Sequence, residues 1–421
     1  MEKETIALHA GYDQKAGFGT MSVPIFQTTA YAFRDSEHAA NLFALKELGS
    51  IYTRLTNPTT DVLEARFAEL EGGAAAICTA SGQAAIFYAI ANVAEAGDNI
   101  VISDKLYGGS VTLLTHTIKR FGIEARVFKS SDASNLEELI DDKTKAIYFE
   151  SLSNPQIAIA DIDTIVGIAK KYGVLTICDN TVATAALFNP IACGVDIVVH
   201  STSKYTNGQG TAIGGVVVER DGLNEFFKTS SRYSHFNTPD DSYHGLVYTD
   251  VPLPNFCLRI RLSLLRDIGA SQAPFNSWLL IQGLETLSLR VEKHSDNALE
   301  VAKFLESHPK VKSVNYPGLE SHRDHDKAQK YFKDGKASGL ISFDAGSFEE
   351  AKRIIDSVKL FGVVVNIGDS KSLIVHPAST THSQMTADEL LKIGVNPATI
   401  RLSIGLENTK DLIDDLAQAM A

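Results

Sequence analysis

The stretch "HSTSKYTNGQGTAIGG", His200 to Gly215, sits between two apolar runs, "VDIVV" before it and "VVVE" after it. A strand that ends at His200 delivers Ser201, Ser203 and Lys204 to the edge of a sheet. In open α/β sheets ligands bind beyond such strand ends. A lysine taken alone is usually a solvated surface residue. This one is flanked by hydroxyls and followed by glycines that let the chain turn tightly, so the question is what surrounds it.

Working upstream, "TICDN" ends another apolar run on Asp179, 25 residues before Lys204. A carboxylate there can face a protonated ring nitrogen, or simply cap the next helix. Further back, "TASGQAA", Thr79 to Ala85, reads as strand, Ser-Gly turn and helix start. Free N–H groups and the helix dipole at such a point favour a phosphate, although a capped helix explains the same letters. Taken together, an amine able to form a Schiff base, a carboxylate opposing a pyridinium and a phosphate cup are the parts a protein contributes to pyridoxal-phosphate chemistry.

The surrounding pattern supplies a scaffold for these parts. "TTDVLEARFAELEGG" is a helix with Val62, Leu63, Phe67 and Leu70 on its apolar face, stopped by Gly72-Gly73. Strands and helices then alternate. "AAAICTA", "DNIVISD", "IEARVFK", "TKAIYFES", "GVLTICDN", "VDIVVHS" and "AIGGVVVE" are strands, and "SGQAAIFYAIANVA", "GSVTLLTHTIKRF", "SNLEELI" and "DIDTIVGIAKKY" are helices. Continuous apolar runs predict strands covered on both faces. The expectation is an α/β domain over 61–255 around a mostly parallel sheet, preceded by an aperiodic arm, 1–60, that must pack on something.

Downstream, an aromatic, Pro-containing segment, "SRYSHFNTPDDSYHGLVYTDVPLPN", has no period. An irregular stretch of that length is usually functional or disordered. From "SWLLIQGLETLSLRVEKHSDNALEVAKFLESH" onward, long helical periodicity followed by "GLISFDA", "SFEEAKRIIDSV", "RLSIGLE" and "DLIDDLAQAMA" predicts a smaller α+β C-terminal domain, 256–421.

Composition narrows the classes. The chain has 421 residues, 44% hydrophobic and 21% charged, with a net charge of -12. That balance, without a Lys/Arg block, argues against a nucleic-acid partner. No run reaches the roughly 20 apolar residues of a membrane span. "MEKETIALHAGYDQ" lacks the basic and apolar regions of a secretion signal, so a soluble cytoplasmic protein is expected. Cys78, Cys178, Cys193 and Cys257 form no CxxC pair and read as reduced, buried residues of core strands. "HRDH", His322 to His325, has metal-like spacing but no evident third ligand, and reads as a charged helix surface, so no metal is expected. "GQGTAIGG" follows no strand–helix dinucleotide pattern.

The sequence resembles the Cys/Met-metabolism pyridoxal-phosphate enzymes, of aspartate-aminotransferase-like fold (fold type I). The carriers are "YTRLTNPTTDVLEARFAELEG", "SGQAA", "LYGG", "FESLSNP", "CDNT", "HSTSKY", "NIGDSKSLIVHPASTTHSQM" and "RLSIGLE", in the family's order and spread over nearly the whole chain. The resemblance implies pyridoxal 5'-phosphate as cofactor, carried covalently by Lys204, which also shuttles protons. Asp179 would pair with the pyridine nitrogen, and Tyr107 would stack on the ring and serve as a second acid/base. Gly82, Gln83, Ser201 and Ser203 would bind the phosphate. Tyr52 and Arg54 would reach the same phosphate from a neighbouring subunit, which accounts for the arm. Arg401, with Asn154 and Asn366, would hold the substrate, Arg401 as a bidentate clamp on the α-carboxylate.

Within the family three features resemble the sulfhydrylase branch. Gln83 stands where lyases and cystathionine γ-synthases usually have methionine, Gly109 replaces the cysteine of methionine γ-lyases, and the chain is longer near "YHGLVY". Two stretches depart from that branch. Asp241-Ser242-Tyr243-His244-Gly245 replaces Pro-Gly-Tyr-His-Gly, and Asn207-Gly208-Gln209-Gly210 replaces Gly-Gly-His-Gly. The implied reaction is γ-replacement of the acetate of O-acetyl-L-homoserine by sulfide, giving L-homocysteine in methionine biosynthesis. The implied assembly is a homotetramer of two active dimers. The alternatives are a methionine or homocysteine γ-lyase, a cystathionine-type γ-synthase, and, outside enzymes, a cofactor-free α/β scaffold.

Overall fold

The computed structural model describes residues 1–16, 19–380 and 396–421, so Thr381 to Met385 of the "NIGD…HSQM" motif lie outside the described residues. The chain builds two sheets. The larger is formed by β1 (Ala75–Thr79), β2 (Asn99–Ser103), β3 (Glu124–Phe128), β4 (Thr144–Glu150), β5 (Leu175–Asp179), β6 (Ile197–His200) and β7 (Gly215–Glu219), in the order β1-β7-β6-β5-β4-β2-β3. β7 runs antiparallel to both its neighbours, and every other pairing is parallel. The smaller sheet comprises β8 (Ser313–Asn315), β9 (Leu340–Asp344), β10 (Gly362–Val363), β11 (Leu373–Val375) and β12 (Thr399–Ser403), in the order β10-β11-β12-β9-β8. The fold is α/β, with a mostly parallel sheet and a second, smaller one.

The uninterrupted apolar runs have the expected cause. Successive residues of one strand enter different cores: Cys178 and Phe149 pack on one face of the large sheet, Ile177 and Tyr148 on the other. Helix Pro58–Glu71 starts on proline with Asn57 Oδ1 accepting from Thr59 N at 3.0 Å, and ends on Gly72 at φ +72°. It buries Val62, Leu63, Phe67 and Leu70. Its Arg66 reaches back to the carbonyls of Ala7, Leu8 and Ala10, tying the first helix, Lys3–His9, to the large sheet's layer.

Several local expectations change. "SNLEELI" makes only a 3-10 turn, Glu137–Leu139. The Asp132 and Asn135 side chains take the backbone N–H groups of Ser134 and Lys129, and such local bonds compete with a helix start. "GSVTLLTHTIKRF" passes from α (Gly108–Thr112) to a π turn and then a 3-10 turn before Gly122 ends it at φ +79°. The long period after residue 273 is two helices, Pro274–Glu285 and Leu287–Ser307, broken at Thr286. The second helix links the cores: Leu287 and Val291 pack with the large sheet, and Ala298, Val301 and Leu305 with the small one.

The aromatic segment is packed into the protein and is not a disordered tract. Tyr233, Phe236 and Tyr248 are fully buried against the large sheet, Phe236 stacks on Phe227 at 4.0 Å, and Tyr233 Oη donates to Lys145 O at 2.7 Å. "HRDH" is a turn entering helix His325–Tyr331, not a helix surface, and Asp324 in it is buried, accepting from Ile159 N at 3.2 Å. Cys78 and Cys178 are buried in strands. Cys257 is buried in a short helix, and Cys193 is half-buried in a turn. Among the described residues no His/Cys/Asp/Glu group could hold a metal ion, and no helix is long and apolar enough to cross a membrane.

Candidate active site

The C-terminal ends of β4, β5 and β6 and the turn after β1 open onto one cavity of about 290 Å³. At the β1 end, Ser81 caps helix Gly82–Ala91, its Oγ accepting from Ala84 N at 3.1 Å. The first N–H groups of a helix have no partner within it, and here they belong to Gly82 and Gln83, both lining the cavity. A Cβ on Gly82 would stand 2.6 Å from Ser201 Cβ, so only glycine lets this helix start approach the end of β6. Gly109 serves similarly: a Cβ there would meet the Tyr107 ring at 2.5 Å and Gln83 Nε2 at 2.6 Å.

Lys204 lines the cavity with Ser201 and Ser203, past the end of β6. Its Nζ donates to Asn366 Oδ1 at 2.7 Å. Burial lowers its pKa, and the positive charge of Arg401 lowers it further, which eases loss of its proton. Ser203 Oγ donates to Gly214 O at 3.2 Å and accepts from Gly214 N at 3.0 Å, which closes the glycine turn on itself.

Two carboxyl groups stand side by side, because Glu150 of β4 and Asp179 of β5 are in register at their strand ends. Asp179 Oδ1 accepts from Thr181 N at 2.9 Å, and its other oxygen accepts from Tyr148 Oη at 3.3 Å. It does not cap the next helix, Thr184–Leu187, whose N-cap position is Ala183. Burial pushes the Asp179 pKa up, opposed by the Thr181 bonds. Glu150 is pushed well above the ordinary carboxylate range by burial and then by the adjacent Asp179 charge. Its Oε1 accepts from Tyr107 N at 2.6 Å and its Oε2 from Asn154 N at 3.1 Å.

Arg401 enters from the small sheet, on β12 between Val375 of β11 and Ser342 of β9. The residue is 5% exposed; Nη1 donates to Asn154 Oδ1 at 3.1 Å and Nη2 to Asn366 O at 3.0 Å. Burial lowers its pKa to about 10, so it stays charged at neutral pH. Its Nε and Gln83 Oε1 are buried in the cavity wall without protein partners. A buried cation with an unused donor suits a carboxylate.

Of the predicted residues, the cavity brings together Lys204, Asp179, Tyr107, Gly82, Gln83, Ser201, Ser203, Asn154, Asn366 and Arg401. Tyr52 and Arg54 do not line it. Both are exposed, with the Arg54 guanidinium 5.1 Å from the centre of the Tyr52 ring. Glu150 was missed by the sequence reading. The signal was available: like Asp179, it is a carboxylate closing an apolar run, "TKAIYFE".

A family model described as "Cys/Met metabolism PLP-dependent enzyme" matches residues 4–421. An O-acetyl-L-homoserine sulfhydrylase of Leptospira meyeri is 46% identical over 427 residues, covering 99% of this chain and 96% of that protein. A homocysteine synthase of Schizosaccharomyces pombe is 45% identical, covering 99% of this chain and 97% of its own. Among solved structures, a putative O-acetylhomoserine (thiol)-lyase of Campylobacter jejuni superposes with a TM-score of 0.98 at 57% identity, covering 100% of both chains. That chain carries N'-pyridoxyl-lysine-5'-monophosphate at position 205.

Proposed function

Because the chain belongs to the Cys/Met-metabolism family of pyridoxal-phosphate-dependent enzymes, we propose that it catalyses γ-replacement on O-acetyl-L-homoserine. In that reaction the Cγ–O bond breaks, acetate leaves with the electron pair, a sulfide sulfur bonds to Cγ, and L-homocysteine results. The cavity suits the cofactor on its own terms. It offers the Gly82 and Gln83 amides at a helix start and two serine hydroxyls for a phosphate, an amine of lowered pKa, and a carboxylate at a strand end. Bound pyridoxal phosphate supplies an aldehyde that condenses with amines and a ring that takes up electrons released at Cα.

The chain's own residues do the rest. Lys204 tethers the cofactor, yields to the substrate amine, and its freed amine moves protons at Cα and Cβ. Asp179 holds a proton on the ring nitrogen. Tyr107 covers the ring and is a second acid/base. Arg401 binds the substrate carboxylate, using Nε and the Nη groups that Asn154 and Asn366 orient.

In this reading residues 1–60 form an arm that serves the neighbouring subunit, where Tyr52 and Arg54 reach the phosphate. Two such dimers make a homotetramer, acting in the cytoplasm in methionine biosynthesis. The arm's exposed apolar side chains, Met21, Ile25, Phe26, Phe33 and Phe43 among them, support a covered surface.

The observation that carries the proposal is the meeting of Lys204 and Asp179, from adjacent strand ends of the large sheet, with Arg401 of the small sheet in one cavity. Product analysis tests it. Homocysteine and acetate are expected from O-acetylhomoserine with sulfide. An oxoacid and ammonia formed equally well without sulfide would replace the proposal with a γ-lyase. Preferred turnover of O-succinylhomoserine with cysteine would replace it with a cystathionine-type synthase.

A further inference from the structure

Glu150 closes β4 inside the cavity wall and is buried, yet neither the tether, the clamp nor the phosphate cup uses it. Its two oxygens face different parts of the site. Oε1 accepts from the amide of Tyr107, in the loop after β2, at 2.6 Å, and Oε2 accepts from the amide of Asn154, in the loop after β4, at 3.1 Å. Tyr107 then begins helix Gly108–Thr112 at a position with no side-chain cap. The Asn154 side chain accepts from Arg401 Nη1.

We propose that Glu150 is a positioning residue that sets Tyr107 on the cofactor side and Asn154 on the substrate side from a single carboxyl group, so that ring and carboxylate clamp are aligned together. The role rests on the cofactor and clamp assignments made above. The covalent geometry of one carboxyl fixes the spacing between the two amides it holds. A shift of either loop alone would stretch one bond. Glu150 also stands in register with Asp179. Burial, and then the neighbouring Asp179 charge, raise its pKa.

The test compares Glu150→Met, which fills the volume without acceptors, with Glu150→Gln, which keeps one acceptor. L-Norvaline, an amino acid without a γ leaving group, is the substrate-side probe, titrated through the visible spectrum of the holoenzyme. Visible circular dichroism of the bound cofactor reports how firmly the ring is held. Amide exchange at Tyr107 and Asn154 in the cofactor-free protein reports the two bonds directly.

In Glu150→Met the norvaline Kd is expected to rise about tenfold, the dichroism to fall by about half, and both amides to exchange faster. Glu150→Gln should lie between it and the wild type on all three. Wild-type norvaline binding and dichroism in Glu150→Met overturn the proposal, as does a change on one side only. If the methionine variant does not fold, the glutamine variant decides by the same criteria. Norvaline needs no γ-chemistry. A wild-type enzyme that makes no homocysteine while these shifts hold therefore removes the sulfhydrylase reading and leaves the positioning role standing.

Discussion

The loop from His200 to Gly215 and the arm before helix Pro58–Glu71 both have little regular structure, and they are stabilised in opposite ways. The loop is braced from all sides by its own chain. Arg290 donates to Tyr205 O at 2.7 Å and Thr206 O at 3.1 Å, Ser370 N donates to Gly208 O at 2.7 Å, and Asn207 Oδ1 accepts from Thr211 N at 2.9 Å. Gly208 and Gly210 take φ of +74° and +64°, conformations open to glycine at little cost. The arm instead presents Met21 at 75% and Phe43 at 55% exposure. A loop that carries chemistry must be rigid before substrate arrives. An arm that completes another copy's site can leave its apolar surface to be covered there.

The largest effect belongs to the loop. Lys204→Ala removes tether and proton carrier at once, so turnover should fall by roughly a thousandfold or more. The side chain's hydrogen bond is to Asn366, so the fold should survive. Near-normal homocysteine synthesis by the purified variant would remove Lys204 from the centre of the reaction.

Arg401→Gln should raise the Michaelis constant for O-acetylhomoserine by about ten- to a hundredfold, since hydrogen bonds to charged groups contribute roughly 1.5–3 kcal/mol each. It should also move a titration. Burial lowers the Lys204 pKa first and the Arg401 charge second. Removing that charge takes away one cause, so the amine should titrate at higher pH. Its protonated, unreactive form would then persist further up the pH scale. The rate at which an amine reagent modifies Lys204 in the cofactor-free variant, followed against pH, measures the shift. A midpoint at or below that of the wild type contradicts the geometry.

Arg290→Met probes the bracing itself. Burial lowers the Arg290 pKa to about 10, which leaves it charged, and its guanidinium serves the carbonyls of Tyr205, Thr206 and Gly283. Gly283 O keeps Thr286 N as a donor, and leaving the other two buried carbonyls unpaired costs about 1–3 kcal/mol each, so a loss of about 2–6 kcal/mol in unfolding free energy is expected. Phe33→Ser on the arm should leave the unfolding of the separated subunit within about 0.5 kcal/mol and weaken association instead. Equal destabilisation of the subunit by both changes would erase the contrast between loop and arm.

What could be read in advance follows the same division. Lys204, Asp179 and the Ser81-Gly82 turn were legible because each sits where an apolar run stops, a purely local signal. Arg401 has no such signal: it is a buried cation in a short strand of a second sheet, and only the resemblance singled it out. Glu150 carried the same strand-end signal as Asp179 and was passed over, because its partners, the amides of Tyr107 and Asn154, are backbone groups with no letter in the sequence. "SNLEELI" failed as a helix because the side chains of Asp132, just before it, and Asn135, within it, captured backbone donors. The single long period after residue 273 concealed the break at Thr286, since the first helix and the start of the second keep their apolar residues in the same core.

The smallest expected signal is the one that decides whose site the arm completes. If Arg54 serves the neighbouring subunit's phosphate, Lys204→Ala and Arg54→Ala homodimers should both be poor catalysts. Mixed under conditions that allow subunit exchange, they form hybrids. One site of each hybrid then carries both defects. The other takes Lys204 from the Arg54→Ala chain and Arg54 from the Lys204→Ala chain, and is intact. Random reassortment makes about half of all dimers hybrid, so about a quarter of all sites should recover. The measurement is homocysteine formation before and after exchange, with exchange followed independently by a mass tag on one variant. Recovery near that fraction places the exposed Arg54 across the interface. If tagged hybrids form and activity stays at the sum of the two parents, Arg54 acts within its own chain. The arm's apolar surface would then need an explanation other than a shared site.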